Sequence, residues 1–246
     1  MKTFALIILL AFTGCVTTGN TVDKSKMAEG YYMKGLSHLQ EKNYELASVE
    51  FHRSLQNDGS YKQSYYGLGI ISDYQGKFED SRKFYQKAID QDHDFSEAYN
   101  ALGVVYSKQR KWKEAVKAFQ KALANKLYTT PHIPYLNLGD LYMEQKEYAQ
   151  AAEAYRESKR FVNIEWTIIK LGTALFEAGK IQEAISEFQE GVGIAPRNAN
   201  MRYSLALAFL KEGNKKSALT EFRKAVELAP KSELARMAND YINTLR

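Results

Sequence analysis

Few residues in this 246-residue chain stand at spacings that could do chemistry. Cys15 is the only cysteine, so its thiol has no partner for a disulfide within the chain and is left for alkylation, acylation or metal ligation. The four histidines, His38, His52, His93 and His132, are scattered, with no second ligand at metal spacing. No H-E-x-x-H, C-x-x-C, phosphate-binding glycine loop or G-x-S-x-G occurs. Paired carboxylates such as Glu79-Asp80 fall at turns or helix starts, where an acid favours the helix dipole rather than proton transfer. The reading is a protein that is not an enzyme and carries no metal or cofactor. Positive charge does cluster: Lys108, Arg110, Lys111, Lys113, Lys117, Lys121 and Lys126 crowd one stretch against a single acid, Glu114, in a chain of net charge +5. Such a run is either a solvated helix face or a surface for an anionic lipid or acidic partner.

The elements that would position these residues come from a repeat. Small residues recur at Gly35, Gly69, Gly103, Gly139, Gly172 and Ala206, with steps of 34, 34, 36, 33 and 34. Three further series keep that irregular rhythm: Ala47, Ser81, Ala115, Ala151, Ala184, Ala218; Phe51, Tyr85, Phe119, Tyr155, Phe188, Phe222; and Ser54, Ala88, Ala122, Ser158, Gly191, Ala225. The small residues let paired helices approach, the rings are expected to fill the space between hairpins, and Pro196 and Pro230 end the last two second helices.

On these series the chain resembles the tetratricopeptide-repeat (TPR) family. The resemblance implies an all-α, right-handed superhelix of six helix-turn-helix repeats at 28–61, 62–95, 96–129, 132–164, 165–198 and 199–232, with 233–246 as a capping helix whose apolar face carries Leu234, Met237, Ala238, Tyr241, Ile242 and Leu245. Lys34, where the family places leucine, fits a first repeat with nothing stacked before it.

The N-terminus reads differently. Phe4 to Phe12 is a nine-residue apolar run after Lys2, too short to span a bilayer and right for a secretory signal. The following Thr13-Gly14-Cys15 resembles a bacterial lipoprotein signal, which implies a signal peptide over 1–14, a lipidated Cys15 and a periplasm-facing outer-membrane anchor in a diderm bacterium. Residues 15–27 read as a polar flexible tether reaching at most about 40 Å. Export removes nucleic acid as a partner, and nothing suggests a small-molecule substrate.

In TPR arrays positions 5, 9 and 12 of each repeat line the concave side. Here these are Tyr32, Leu36 and Leu39; Tyr66, Ile70 and Asp73; Asn100, Val104 and Ser107; Leu136, Asp140 and Met143; Ile169, Thr173 and Phe176; and Tyr203, Leu207 and Leu210, with Trp166 beside them. Thirteen of the eighteen are apolar or Tyr, which suits a hydrophobic peptide or amphipathic helix as ligand, gripped at the two ends of the groove. The other possibility is that curvature buries part of the strip against itself. The two extra residues before the fourth repeat lie in Asn125-Lys126-Leu127-Tyr128-Thr129-Thr130-Pro131. Asn125, Leu127, Tyr128, Thr130 and Pro131, with Asn137 and Gly139, resemble the type IV pilus pilotin family, although Lys126 stands where that family has proline. That resemblance implies a protein partner, an outer-membrane secretin subunit, whose assembly the protein assists. The runner-up is a general TPR scaffold lipoprotein that recruits outer-membrane assembly factors or cell-wall enzymes.

Overall fold

The computed structural model describes residues 19–245. Thirteen helices and no strand occur among them. The helices form six hairpins: α1 (Gly19–Gln40) with α2 (Tyr44–Asn57), α3 (Lys62–Tyr74) with α4 (Phe78–Gln91), α5 (Ser96–Lys108) with α6 (Trp112–Ala124), α7 (His132–Glu144) with α8 (Tyr148–Phe161), α9 (Glu165–Glu177) with α10 (Ile181–Ile194), and α11 (Ala199–Glu212) with α12 (Lys215–Leu228). The final helix, α13 (Glu233–Thr244), packs on α12. Each helix packs on its hairpin partner and each second helix on the next first helix, so the all-α solenoid with a C-terminal helix is the observed fold. Stability therefore accumulates between neighbours along the stack.

In each of the first five hairpins one ring is seated over one glycine. A Cβ on Gly35 would lie 2.5 Å from the Phe51 ring, one on Gly69 2.5 Å from Tyr85, one on Gly103 2.6 Å from Phe119 and one on Gly172 2.5 Å from Phe188. Gly139 and Tyr155 make the same pair. This corrects the expectation that the rings fill the space between hairpins: these five cover the glycine of their own hairpin. Phe51 also reaches the next one, where a Cβ on Gly67 would meet it at 2.6 Å. The serines of the small-residue series are buried but bonded. Ser64 Oγ donates to Ser54 Oγ at 2.7 Å, Ser81 Oγ to the Gly69 carbonyl at 2.9 Å, and Ser158 Oγ to the His132 carbonyl at 2.9 Å. These bonds offset the cost of removing hydroxyls from water.

The six hairpin turns share a feature that residue type conceals. Each places one residue in the left-handed region: Lys42 (φ 59°), Gly76 (71°), Arg110 (57°), Lys146 (60°), Gly179 (77°) and Gly213 (93°). Only three of the six are glycine, so the other three carry backbone strain of about 1–2 kcal/mol each. Several helix starts are capped by side chains. Asn198 accepts from the Met201 amide at 2.9 Å, Asn214 from Ser217 at 3.2 Å and Ser232 from Ala235 at 3.1 Å.

Both ends differ from expectation. The stretch 15–27 is not a tether throughout, because α1 begins at Gly19. Lys24 to Met27 are exposed and Ala28 is buried, so this stretch of the helix runs past its packing partner. No proline interrupts it, and extending a nucleated helix costs little. The expected signal peptide of 1–14 and the expected lipidation site Cys15 lie outside the described residues. At the other end α13 buries Ala235, Ala238 and Ile242, while Met237 and Tyr241 stay largely exposed. Tyr241 stacks on Phe222 with ring centroids 5.0 Å apart, closing the last hairpin from its edge.

Candidate functional site

The concave strip is partly packed rather than open. All thirteen apolar or tyrosine side chains at the inward positions are half-buried and rest against core clusters. Tyr32 packs on Phe51 at 5.7 Å and on Tyr61 at 5.5 Å. Tyr66 packs on Tyr85 at 5.6 Å and Phe95 at 5.4 Å, and burial, with Tyr128 and Glu97 nearby, pushes its hydroxyl up to about 12. Tyr203 packs on Phe222 at 5.5 Å. Leu36, Ile70, Val104, Leu136, Met143, Ile169, Phe176 and Leu207 form the same half-buried rim. Trp166, beside them, is mostly exposed, at 58%, and the Lys170 ammonium sits 5.0 Å from its ring.

Open spaces occur at several places along the array, and one of them is bounded mainly by first helices. A cavity of about 310 Å³ opens between the third and fourth repeats, bounded by Val104, Lys108, Phe119, Asn137, Asp140 and Glu144. Its position has a cause. The seam between α6 and α7 is the thinnest of those joining successive hairpins, and it follows the segment with two extra residues. Around it runs a ladder of bonds between successive first helices. Lys108 Nζ donates to Asp73 at 2.6 and 2.8 Å, and Asn137 Nδ2 to Asn100 Oδ1 at 2.9 Å. Asp140 accepts from the Tyr155 hydroxyl at 2.5 Å and from Lys170. Burial, together with the carboxylate of Asp140, pushes the Tyr155 hydroxyl far above its ordinary range.

This arrangement suits recognition of an extended backbone. A side-chain amide offers two donors and an acceptor of the same kind as a peptide group, and in their mutual bond Asn137 uses one donor while Asn100 supplies its oxygen as acceptor. The charged Lys108, Asp140 and Glu144 would sit beside it. Among the described residues no group of three or more His, Cys, Asp or Glu is placed to hold a metal. His52 Nδ1 lies 2.8 Å from the Ser48 carbonyl, and His38 lies 3.5 Å from Glu41, both contacts within or beside one helix.

The junction before α7 is mostly internal structure. Asn125 Nδ2 donates to the Asp94 carbonyl at 2.9 Å and its Oδ1 accepts from the Leu127 amide at 2.9 Å. Tyr128 is half-buried, and a hydrogen bond to Thr130 partly opposes the rise in its pKa that burial causes. Pro131 precedes α7 with φ −66°, a value its ring sets without cost. Leu127 is different, with 86% of its surface exposed. At the same end of the fourth hairpin Ile133, Phe161 and Ile164 are also exposed, and Tyr135 stacks on Phe161 at 6.1 Å. Sequence reasoning missed this apolar edge because Phe161 and Ile164 fall outside every repeat series. A large apolar residue beside a turn, off the core rhythm, was the available signal.

Family profiles described as tetratricopeptide repeat match residues 96–126, 134–160 and 169–233, and one described as TPR repeat matches 74–110. The hairpins are tetratricopeptide repeats. A sequence search of curated proteins finds no match. Among solved structures, PilF of Pseudomonas aeruginosa superposes with a TM-score of 0.73 at 20% identity, over 89% of this chain and 99% of that one. PilW, described as a widely conserved type IV pilus biogenesis factor, gives 0.71 at 18% identity over 86% and 98%. YrrB, described as a TPR protein with an unusual peptide-binding site, gives 0.65 at 22% identity over 77% and 97%.

Proposed function

We propose that this chain is a non-catalytic pilotin: a lipoprotein, attached through Cys15 to the periplasmic face of an outer membrane, that binds a subunit of the type IV pilus secretin and assists its placement and ring assembly. The observation that carries the reading is the superposition of this solenoid on PilF and PilW over 89% and 86% of its length and nearly all of those chains. The lipoprotein-like Gly14-Cys15 and the junction from Asn125 to Pro131 support it from the sequence. Binding in this reading takes place on the concave side, across the cavity between repeats three and four. Trp166 is the exposed anchor on that side, and the half-buried tyrosines line the same side in the first, second and sixth repeats. An interface anchor of this kind typically contributes 2 kcal/mol or more.

Deleting the gene should abolish heat- and detergent-resistant secretin multimers in the outer membrane, and Cys15→Ser should leave an unprocessed precursor that fails to restore them. Normal multimers in the deletion strain would remove the pilotin reading. They would leave the general scaffold, which the likeness to the peptide-binding YrrB favours.

A further inference from the structure

The convex side of the third repeat differs from the convex side of the fourth. On α8, basic side chains are matched by acids. Arg156 bonds Glu153 at 2.6 Å and Glu183 at 2.9 Å, Lys159 bonds Glu187 at 2.6 Å and Glu190 at 2.7 Å, and Arg160 bonds Glu157 at 2.9 Å. The Lys159 ammonium holds the Glu190 carboxyl below its usual range. On α6, Lys113, Lys117 and Lys121 are all exposed and stand four residues apart, so they form one stripe rising about 6 Å per step. None of the ion pairs or side-chain hydrogen bonds among the described residues uses them, or Lys126 just beyond. Glu114 is the one acid on that helix.

The stripe leads to the apolar edge. Lys121 is in the last turn of α6, followed by Lys126 and the exposed Leu127. Ile133 and Phe161 stand at the same end of the neighbouring hairpin. Unpaired ammonium groups beside protruding apolar tips, on a convex surface, match an interface that is flat, negatively charged on its outside and apolar beneath. An acidic peptide would satisfy the lysines but not the tips, and the cavity that could cradle a peptide lies on the opposite, first-helix side.

We propose that the α6 lysine stripe with Leu127 is a second membrane contact, docking the convex face of repeat three on an anionic lipid surface. It goes beyond the anchor proposed at Cys15 and fixes the orientation of the solenoid, turning the concave side away from the bilayer. A lysine near an anionic surface contributes about 1 kcal/mol, so losing three should weaken binding roughly 100-fold. Removing the Leu127 side chain should cost about a further tenfold.

The test uses the full chain with Cys15→Ser, sedimented with vesicles of phosphatidylcholine alone or of phosphatidylcholine and phosphatidylglycerol in a two-to-one mixture. Binding to neutral vesicles measures what the apolar N-terminal run contributes and is subtracted. Expected are preferential binding to the anionic vesicles, weakened by salt, a roughly 100-fold loss in K113Q/K117Q/K121Q, and a further loss in L127S. A second triple variant, K211Q/K215Q/K216Q, removes the same charge elsewhere and should bind as the parent does. Equal losses in both triple variants, or none in the first, would overturn the proposal. So would tight binding of polyglutamate without binding of anionic vesicles, which would assign the stripe to an acidic polypeptide. Secretin assembly plays no part in this measurement, so its outcome is independent of the pilotin reading.

Discussion

Two sets of aromatic residues run along this solenoid at the same repeat spacing and do different work. Phe51, Tyr85, Phe119, Tyr155, Phe188 and Phe222 are buried, the first five over the glycine of their own hairpin and Phe222 opposite Ala206. Tyr32, Tyr66 and Tyr203, on the first helices, lean on those rings from the concave side and keep part of their surface open. Trp166 pairs with no other ring among the described residues, and the Lys170 ammonium faces it. An aromatic residue is core here when a glycine opposite makes room for it, rim when it rests on such a ring, and surface when it has neither. The cavity bounded mainly by first helices sits where the stacking is thinnest, between α6 and α7.

That gradation can be broken from its strongest end. Phe119→Ala removes a ring that is 1% exposed and should cost about 3–5 kcal/mol, a fall in Tm on the order of 10 °C measured by calorimetry. Gly103→Ala places a methyl 2.6 Å from the same ring and should cost about 1–3 kcal/mol by overpacking. Recovery of stability in a Gly103→Ala, Phe119→Leu double variant would show that the two share one space. Tyr66→Ala should fall between core and surface, losing about 2 kcal/mol. Melting like the parent would return Tyr66 to the open groove.

Alkaline titration sharpens the same point. The folded-state pKa of Tyr66 is raised to about 12 from an ordinary value of 10, so above pH 10 the unfolded chain loses this proton first. The stability that Tyr66 contributes is fully present below pH 10 and is lost as the pH climbs toward 12. Phenolate absorbance of the parent against Tyr66→Phe should show one tyrosine titrating late. A difference spectrum with an ordinary midpoint would mean the ring is more open than its contacts indicate. Two smaller effects complete the order. Lys146→Gly relieves a left-handed turn residue and should raise stability by about 1 kcal/mol. Trp166→Ala should change stability by less than about 0.5 kcal/mol and, if the proposed pilotin function holds, reduce secretin multimers.

Much of the fold was legible in the sequence because each hairpin repeats the same local contacts. A small residue and a ring sixteen positions later recur in register, as in Gly35 with Phe51 and Gly103 with Phe119, and one rhythm places six helix pairs. The absence of ligand and nucleophile spacings was equally a matter of sequence. What only the tertiary structure decided involves relations between repeats or backbone angles that residue type does not report. Lys42, Arg110 and Lys146 occupy left-handed turns that elsewhere hold glycine, and a lysine in the sequence looks the same at either φ. Half-burial of the concave strip depends on how closely successive first helices approach, which the curvature of the stack sets. Whether a surface lysine is paired depends on the next helix over. Lys159 meets Glu187 and Glu190 across the α8–α10 groove, while Lys113, Lys117 and Lys121 meet no acid. A repeat period carries the contacts that every hairpin makes in the same way, and these features are the ones in which neighbouring hairpins differ.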